Sequence, residues 1–117
     1  MNKNNLPVLL ITWNRPNHLS KSYKAVLEAG VSEIFIYNDG LTKNKEINKK
    51  IIKTRELIKK LVNKNKFVSH QIFFSNKNST GCKNGVFNAI TWFFNQNEKG
   101  LIIEDDIIIS EKFPLFC

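Results

Sequence analysis

Three carboxylates, Glu104, Asp105 and Asp106, stand in a row between the apolar runs Leu101-Ile102-Ile103 and Ile107-Ile108-Ile109. Like charges this close repel one another, and each loses hydration if buried. A divalent cation carrying a phosphate would resolve the repulsion, because hard oxygen ligands suit Mg²⁺ or Mn²⁺. The same triplet also suits a polar strand end or tight turn with the acids in water. Apolar runs bounded by turn residues read as buried strands, so both readings place the acids at a strand end.

Other polar groups recur at comparable places. Thr12-Trp13-Asn14-Arg15 follows one apolar run and Asn38-Asp39-Gly40 follows another. Ser75-Asn76 follows a third, with Asn78, Thr80 and Lys83 shortly after. Each has an ordinary explanation in isolation. Asp39 can hold a turn, Arg15 can be a solvated cation, and Asn76 and Asn78 are common loop residues. Their shared position relative to the strands is what makes them a candidate set.

The elements that would position them alternate along the chain. Pro7 to Trp13 reads as a strand, and Pro16 can open a helix at its first turn. That helix carries Leu19, Tyr23, Val26 and Leu27 on one face and ends near Gly30. Glu33 to Tyr37 is a second strand, closed by Asn38-Asp39-Gly40, a strong turn signal. A Lys-rich helix follows, with Ile47, Ile51, Ile58, Leu61 and Val62 close to a helical period. Phe67 to Phe74 reads as a third strand, roughly alternating, and Asn76 to Thr80 as a loop. Gly81 to Asn95 reads as a helix with Cys82, Val86, Ala89, Ile90 and Phe93 on one side. The strand Leu101–Ile103, the acidic turn and Ile107–Ile109 complete the chain.

This order predicts an α/β fold, a mostly parallel sheet with helices on both faces. Ligands of such sheets bind beyond the carboxyl ends of the strands. In the strand order 3-2-1-4, the ends of strands two and four flank strand one about two spacings of ~4.8 Å apart. A nucleotide spans that gap.

Size and charge bound the rest. A chain of 117 residues, 42% hydrophobic with nine Phe, is enough for one domain with one core. No apolar stretch approaches the ~18 residues of a membrane span. Met1 to Pro7 lacks the apolar segment of a secretory signal. Cys82 and Cys117 make neither a disulfide framework nor a metal-ligand spacing, and free thiols in a reducing cytoplasm fit them. The net charge of +8 comes from one segment: residues 43–66 hold nine Lys, one Arg and two Glu, and the remainder is neutral. An apolar stripe facing the core and a solvated Lys face explain such a helix. Attraction to anionic lipid, glycolipid phosphate or polynucleotide is the other reading. No aromatic residue interleaves the lysines, which argues against nucleic acid as partner.

Several families are excluded by particular residues. A receiver domain needs an acidic pair after its first strand, where this chain has Trp13-Asn14. Neither G-x-x-x-x-G-K nor G-x-G-x-x-G occurs. The chain instead resembles the nucleotide-sugar-binding half of a GT-A-fold glycosyltransferase, of the bacterial family 2 or N-acetylglucosaminyltransferase I type. The resemblance rests on Pro7-Val8-Leu9-Leu10-Ile11-Thr12, the turn Trp13-Asn14-Arg15-Pro16, and Tyr37-Asn38-Asp39-Gly40. It continues through the Asn-rich stretch from Asn76 to Gly85 and ends on Glu104-Asp105-Asp106, the counterpart of an Asp-x-Asp element. It spans about residues 7 to 116.

The resemblance implies a Rossmann-like nucleotide-binding half and transfer of a sugar from a nucleoside-diphosphate donor to a glycan or lipid-linked acceptor. It gives Asp39 the uracil or ribose, Asp106 the Mn²⁺ or Mg²⁺ that holds the diphosphate, and Glu104 and Asp105 the ribose or sugar hydroxyls. Asn14, Arg15, Asn78 and Lys83 complete the donor set. The chain ends at Cys117, where the family's acceptor half and catalytic base normally follow. No residue here is therefore assigned as catalytic. Donor binding is expected without efficient turnover, the rest lying in a longer enzyme or a partner. Self-association through Ile107–Ile109 and the Phe113–Phe116 segment is expected too. A non-catalytic nucleotide- or anion-binding module is the alternative.

Overall fold

The computed structural model describes residues 6–75 and 82–104, apart from the side chains of Cys82, Lys83 and Asn84. The strands are β1 (Val8–Thr12), β2 (Glu33–Asn38), β3 (Ser69–Phe74) and β4 (Leu101–Glu104). The helices are α1 (Pro16–Glu28), α2 (Lys45–Lys64) and α3 (Cys82–Phe94). All strand pairs are parallel, in the order β3-β2-β1-β4. The fold is thus the expected α/β sheet, and β2 and β4 flank β1.

The order of the strands dictates the layers. The chain steps outward from β1 to β2 to β3 and then returns to the far side of β1. Right-handed crossovers put α1 and α2 on one face and send α3 across the other. Two cores result. Val8, Leu10, Ile34 and Ile36 pack against Leu19, Tyr23 and Val26 of α1 and Ile58 of α2. Leu9, Ile11, Phe35 and Tyr37 pack against Ala89 and Phe93 of α3. The Phe35 ring meets Phe93 edge-on, with centroids 5.1 Å apart. Central strands covered on both faces need apolar residues at successive positions, as Val8-Leu9-Leu10-Ile11 supplies.

Local chemistry sets the helix ends. Pro16 stands at the start of α1, and Gly30 with φ of 77° lies just beyond its end. Asn44 caps α2, its side-chain oxygen accepting from the backbone N–H groups of Glu46 (2.9 Å) and Ile47 (3.1 Å).

The third strand departs from expectation. It starts at Ser69 rather than Phe67, because the backbone N–H of Val68 bonds to Asn65 O in a turn that closes α2. Val68 is buried by that turn, whereas Phe67 is 80% exposed. β3 is an edge strand with most of its side chains exposed, so no clean alternation appears. Asn76 to Gly81 and residues 105–117 lie outside the described residues, and with them Asn78, Asp105, Asp106, Cys117 and the expected Ile107–Ile109 strand. Among the described residues no helix is long and apolar enough to cross a membrane.

Candidate functional site

Parallel strands all end at the same edge, so Thr12, Asn38 and Phe74 stand side by side there, with Glu104 beside Ile11. Buried side chains knit this edge together. The Asn38 amide donates to Thr12 Oγ1 (2.8 Å) and to Trp13 O (3.1 Å), and Thr12 Oγ1 donates to Tyr37 O (3.0 Å). Thr12 and Asn38 are 1% and 0% exposed, so these bonds form without competition from water.

The organising cation of this network is Arg55, from the middle of α2. Its Nε donates to Asn38 Oδ1 at 2.6 Å, and its Nη2 donates to Asp39 O (2.9 Å) and Ser75 O (3.0 Å). Its guanidinium lies 5.0 Å from the centre of the Phe74 ring. One planar fork thus ties the ends of β2 and β3 to each other. Burial lowers the Arg55 pKa below its ordinary value, and the negative charge of Asp39 opposes that shift.

Asp39 is half-buried just past β2. Its Oδ1 accepts the Gly40 backbone N–H at 2.8 Å, and Trp13 Nε1 donates to Gly40 O at 3.1 Å. The turn is therefore held from β1 as well. The first turn of α3 comes down on the carboxylate: a β-carbon at Gly85 would lie 2.6 Å from Asp39 Oδ2. Only glycine permits that approach with Asp39 in place. On the same face Tyr37 stacks on Phe73 with centroids 5.4 Å apart, and Trp92 leans on both. Burial raises the Tyr37 pKa, the Asp39 charge adds to it, and bonds with Ser75 and Asn88 oppose it.

The expected residues are distributed as follows. Asn14 is half-buried beyond β1, and no described residue engages its side-chain amide. Arg15 is exposed at the entry to α1 and is not free of partners. Glu104 is the last residue of β4; alternation from Ile102 puts it on the α3 face, the face on which Asp39 meets Gly85. Asp39 and Glu104 thus mark the two strands beside β1, whose axes lie about 10 Å apart, with Asp39 two residues farther along the strand direction. Asn78, Asp105, Asp106 and the side chain of Lys83 lie outside the described residues. Among the described residues no group of His, Cys, Asp and Glu side chains forms a metal site.

No family profile, curated protein or solved structure matches the chain.

Arg55 and Gly85 are the site residues that sequence reasoning missed. Arg55 was one of ten basic residues in a Lys-rich segment. Its spacing carries a signal: it lies four residues after Ile51 and three before Ile58, on the buried stripe rather than opposite it. It is also the segment's single arginine among lysines. Gly85 belonged to the recognised Asn- and Gly-containing stretch, but nothing local pairs it with Asp39.

Proposed function

We propose that this chain is the donor-binding part of a metal-dependent glycosyltransferase that uses a nucleoside-diphosphate sugar. One observation carries the reading. The ends of β2 and β4 bear Asp39 and Glu104 on the same face of the carboxyl edge, with β1 and the available Asn14 amide between them. This is the crevice in which open α/β sheets bind ligands.

In this reading Asp39 accepts hydrogen bonds from the base or ribose, and Asn14 completes the nucleoside end. Beneath Asp39 the stacked Tyr37 and Phe73 rings and Trp92 give the β2 end a rigid apolar support. Glu104 and Asp105 take ribose or sugar hydroxyls. Asp106 holds Mn²⁺ or Mg²⁺, which would neutralise the departing diphosphate. Arg15, Lys83, Asn78 and the amino end of α3 supply further positive charge and donors to the phosphates. The acceptor is a glycan or a lipid-linked sugar, and a cytoplasmic location suits a nucleotide-sugar donor.

A thermal-shift screen of UDP-, GDP- and CDP-sugars with and without Mn²⁺ tests this. A donor at about 100 times its dissociation constant adds roughly 2.7 kcal/mol of stability, seen as a clear rise in Tm. Asp106→Ala should abolish the Mn²⁺-dependent part while the unliganded protein melts as before. An unchanged shift in that variant removes the cation from the proposal. No shift with any donor, with or without metal, removes the donor pocket.

A further inference from the structure

We infer that the outer face of α2 is a docking surface for an anionic lipid bilayer. The helix has 20 residues, a straight element of about 30 Å. Lys45, Lys49, Lys53, Lys60 and Lys64 recur along it at spacings that place them on one side, and all are exposed. Opposite them Ile51, Thr54 and Ile58 are buried, Ile58 in the core beneath β1 and β2. Two acids accompany the lysines: Glu56 lies on the outer face, and Glu46 pairs with Lys49 at 3.4 Å. Residues 43–66, which include the helix, carry the whole net charge of +8, and the remainder of the chain is neutral in sum.

Charge alone would suit any polyanion. Two further observations favour a bilayer. Ile52 stands 49% exposed among the lysines, and Leu41 (38%) and Phe67 (80%) project beyond the two ends of the helix. Apolar side chains among lysines suit the headgroup boundary of a membrane, where they enter the acyl region while the lysines meet lipid phosphate. A nucleic acid gains nothing from them. The outer face also lacks what polynucleotides use. The segment's single arginine points inward to Asn38, and no aromatic residue stands within α2 for bases to stack upon. This surface is separate from the donor pocket and does not depend on the function proposed for it.

Co-sedimentation with vesicles tests the inference. The protein should pellet with phosphatidylglycerol–phosphatidylcholine vesicles at low salt, not with pure phosphatidylcholine, and less at high salt. The triple variant Lys49→Glu/Lys53→Glu/Lys60→Glu should lose at least about a hundredfold in partitioning. Ile52→Ser and Phe67→Ser, which leave the charge unchanged, should each lose about threefold to tenfold. Should the triple variant fail to fold, Lys53→Gln alone should show a loss of about fivefold. Equal pelleting of wild type with neutral vesicles overturns the inference. So does binding to polyuridylate without binding to vesicles, or vesicle binding that no α2 substitution weakens.

Discussion

Lys53 and Arg55 stand two positions apart on one helix and carry the same charge, yet they belong to different parts of the molecule. Lys53 faces water. Arg55 reaches the sheet and bonds to Asn38, Asp39 and Ser75. Two residues on a helix are about 200° apart, so a small step in sequence exchanges solvent for core. The contrast shows that a basic segment is not one functional unit. Its outer face sets the field of the protein, and its inner face holds the carboxyl edge together.

The largest effect expected from this contrast is at Arg55. Arg55→Met should destabilise the chain by about 2–3 kcal/mol, because Asn38 Oδ1 and two backbone carbonyls lose a charged donor in a partly buried site. Urea unfolding measures it. Arg55→Lys should recover less than half, since one ammonium cannot span acceptors on two strands as a planar fork does. A cost below about 0.5 kcal/mol for Arg55→Met, the usual value for an exposed residue, would erase the distinction between the two faces.

Gly85→Ala sharpens the comparison from the other side of the sheet. The added methyl meets the Asp39 carboxylate, and either that side chain or α3 must move. A loss of about 1–2 kcal/mol is expected. A titration with uridine diphosphate should weaken in parallel, whereas Val86→Ala, one residue along, should leave the affinity unchanged. Equal affinities for Gly85→Ala and wild type would separate Asp39 from ligand binding.

A smaller effect concerns His70, where the sheet meets α1. Its ring stacks on Tyr23, with Nε2 2.8 Å from the Tyr23 hydroxyl. Burial lowers the His70 pKa below its ordinary 6.5, and a bond with the Val68 backbone opposes this. The unfolded chain therefore binds more protons than the folded one in this range. Stability is full above about pH 6.5 and falls as pH drops through the lower folded value. His70→Gln should flatten that part of a stability–pH curve. A curve of the same shape in the variant would assign the slope to other groups.

The smallest effect is at the outer face. Lys49→Gln breaks the exposed pair with Glu46, whose side chains are 70% and 80% exposed. Its change in stability should stay within about 0.5 kcal/mol by thermal melting. A larger loss would mean that the lysines support the helix itself rather than only its field.

Much of the fold was legible in the sequence because the signals are local. Val8-Leu9-Leu10-Ile11 and Ile34-Phe35-Ile36-Tyr37 are apolar at every position, as buried parallel strands require. Leu19, Tyr23 and Val26 recur at helical spacing, and all three are buried. The observed α1 and α3 fall within a residue or two of the stretches read as helices, and α2 lies within the Lys-rich segment. Alternation of strand and helix then implies a parallel sheet, and such a sheet brings Thr12, Asn38 and Glu104 to a single edge. Phe67 was misread because an aromatic before a strand resembles its first residue, whereas the turn from Asn65 to Val68 sets the true start.

The sequence by itself therefore determined the order of strands and helices among the described residues, and that Asn14, Asp39 and Glu104 share one edge. Hydrophobic period and chain direction suffice for both. Only the tertiary structure decided that Arg55 ties β2 to β3, that Gly85 seats α3 on Asp39, and that Ile52 is left outside. Those outcomes depend on the rotation and height at which α2 and α3 pack on the sheet. That placement is fixed by long-range contacts within each of the two cores, and no local pattern encodes it.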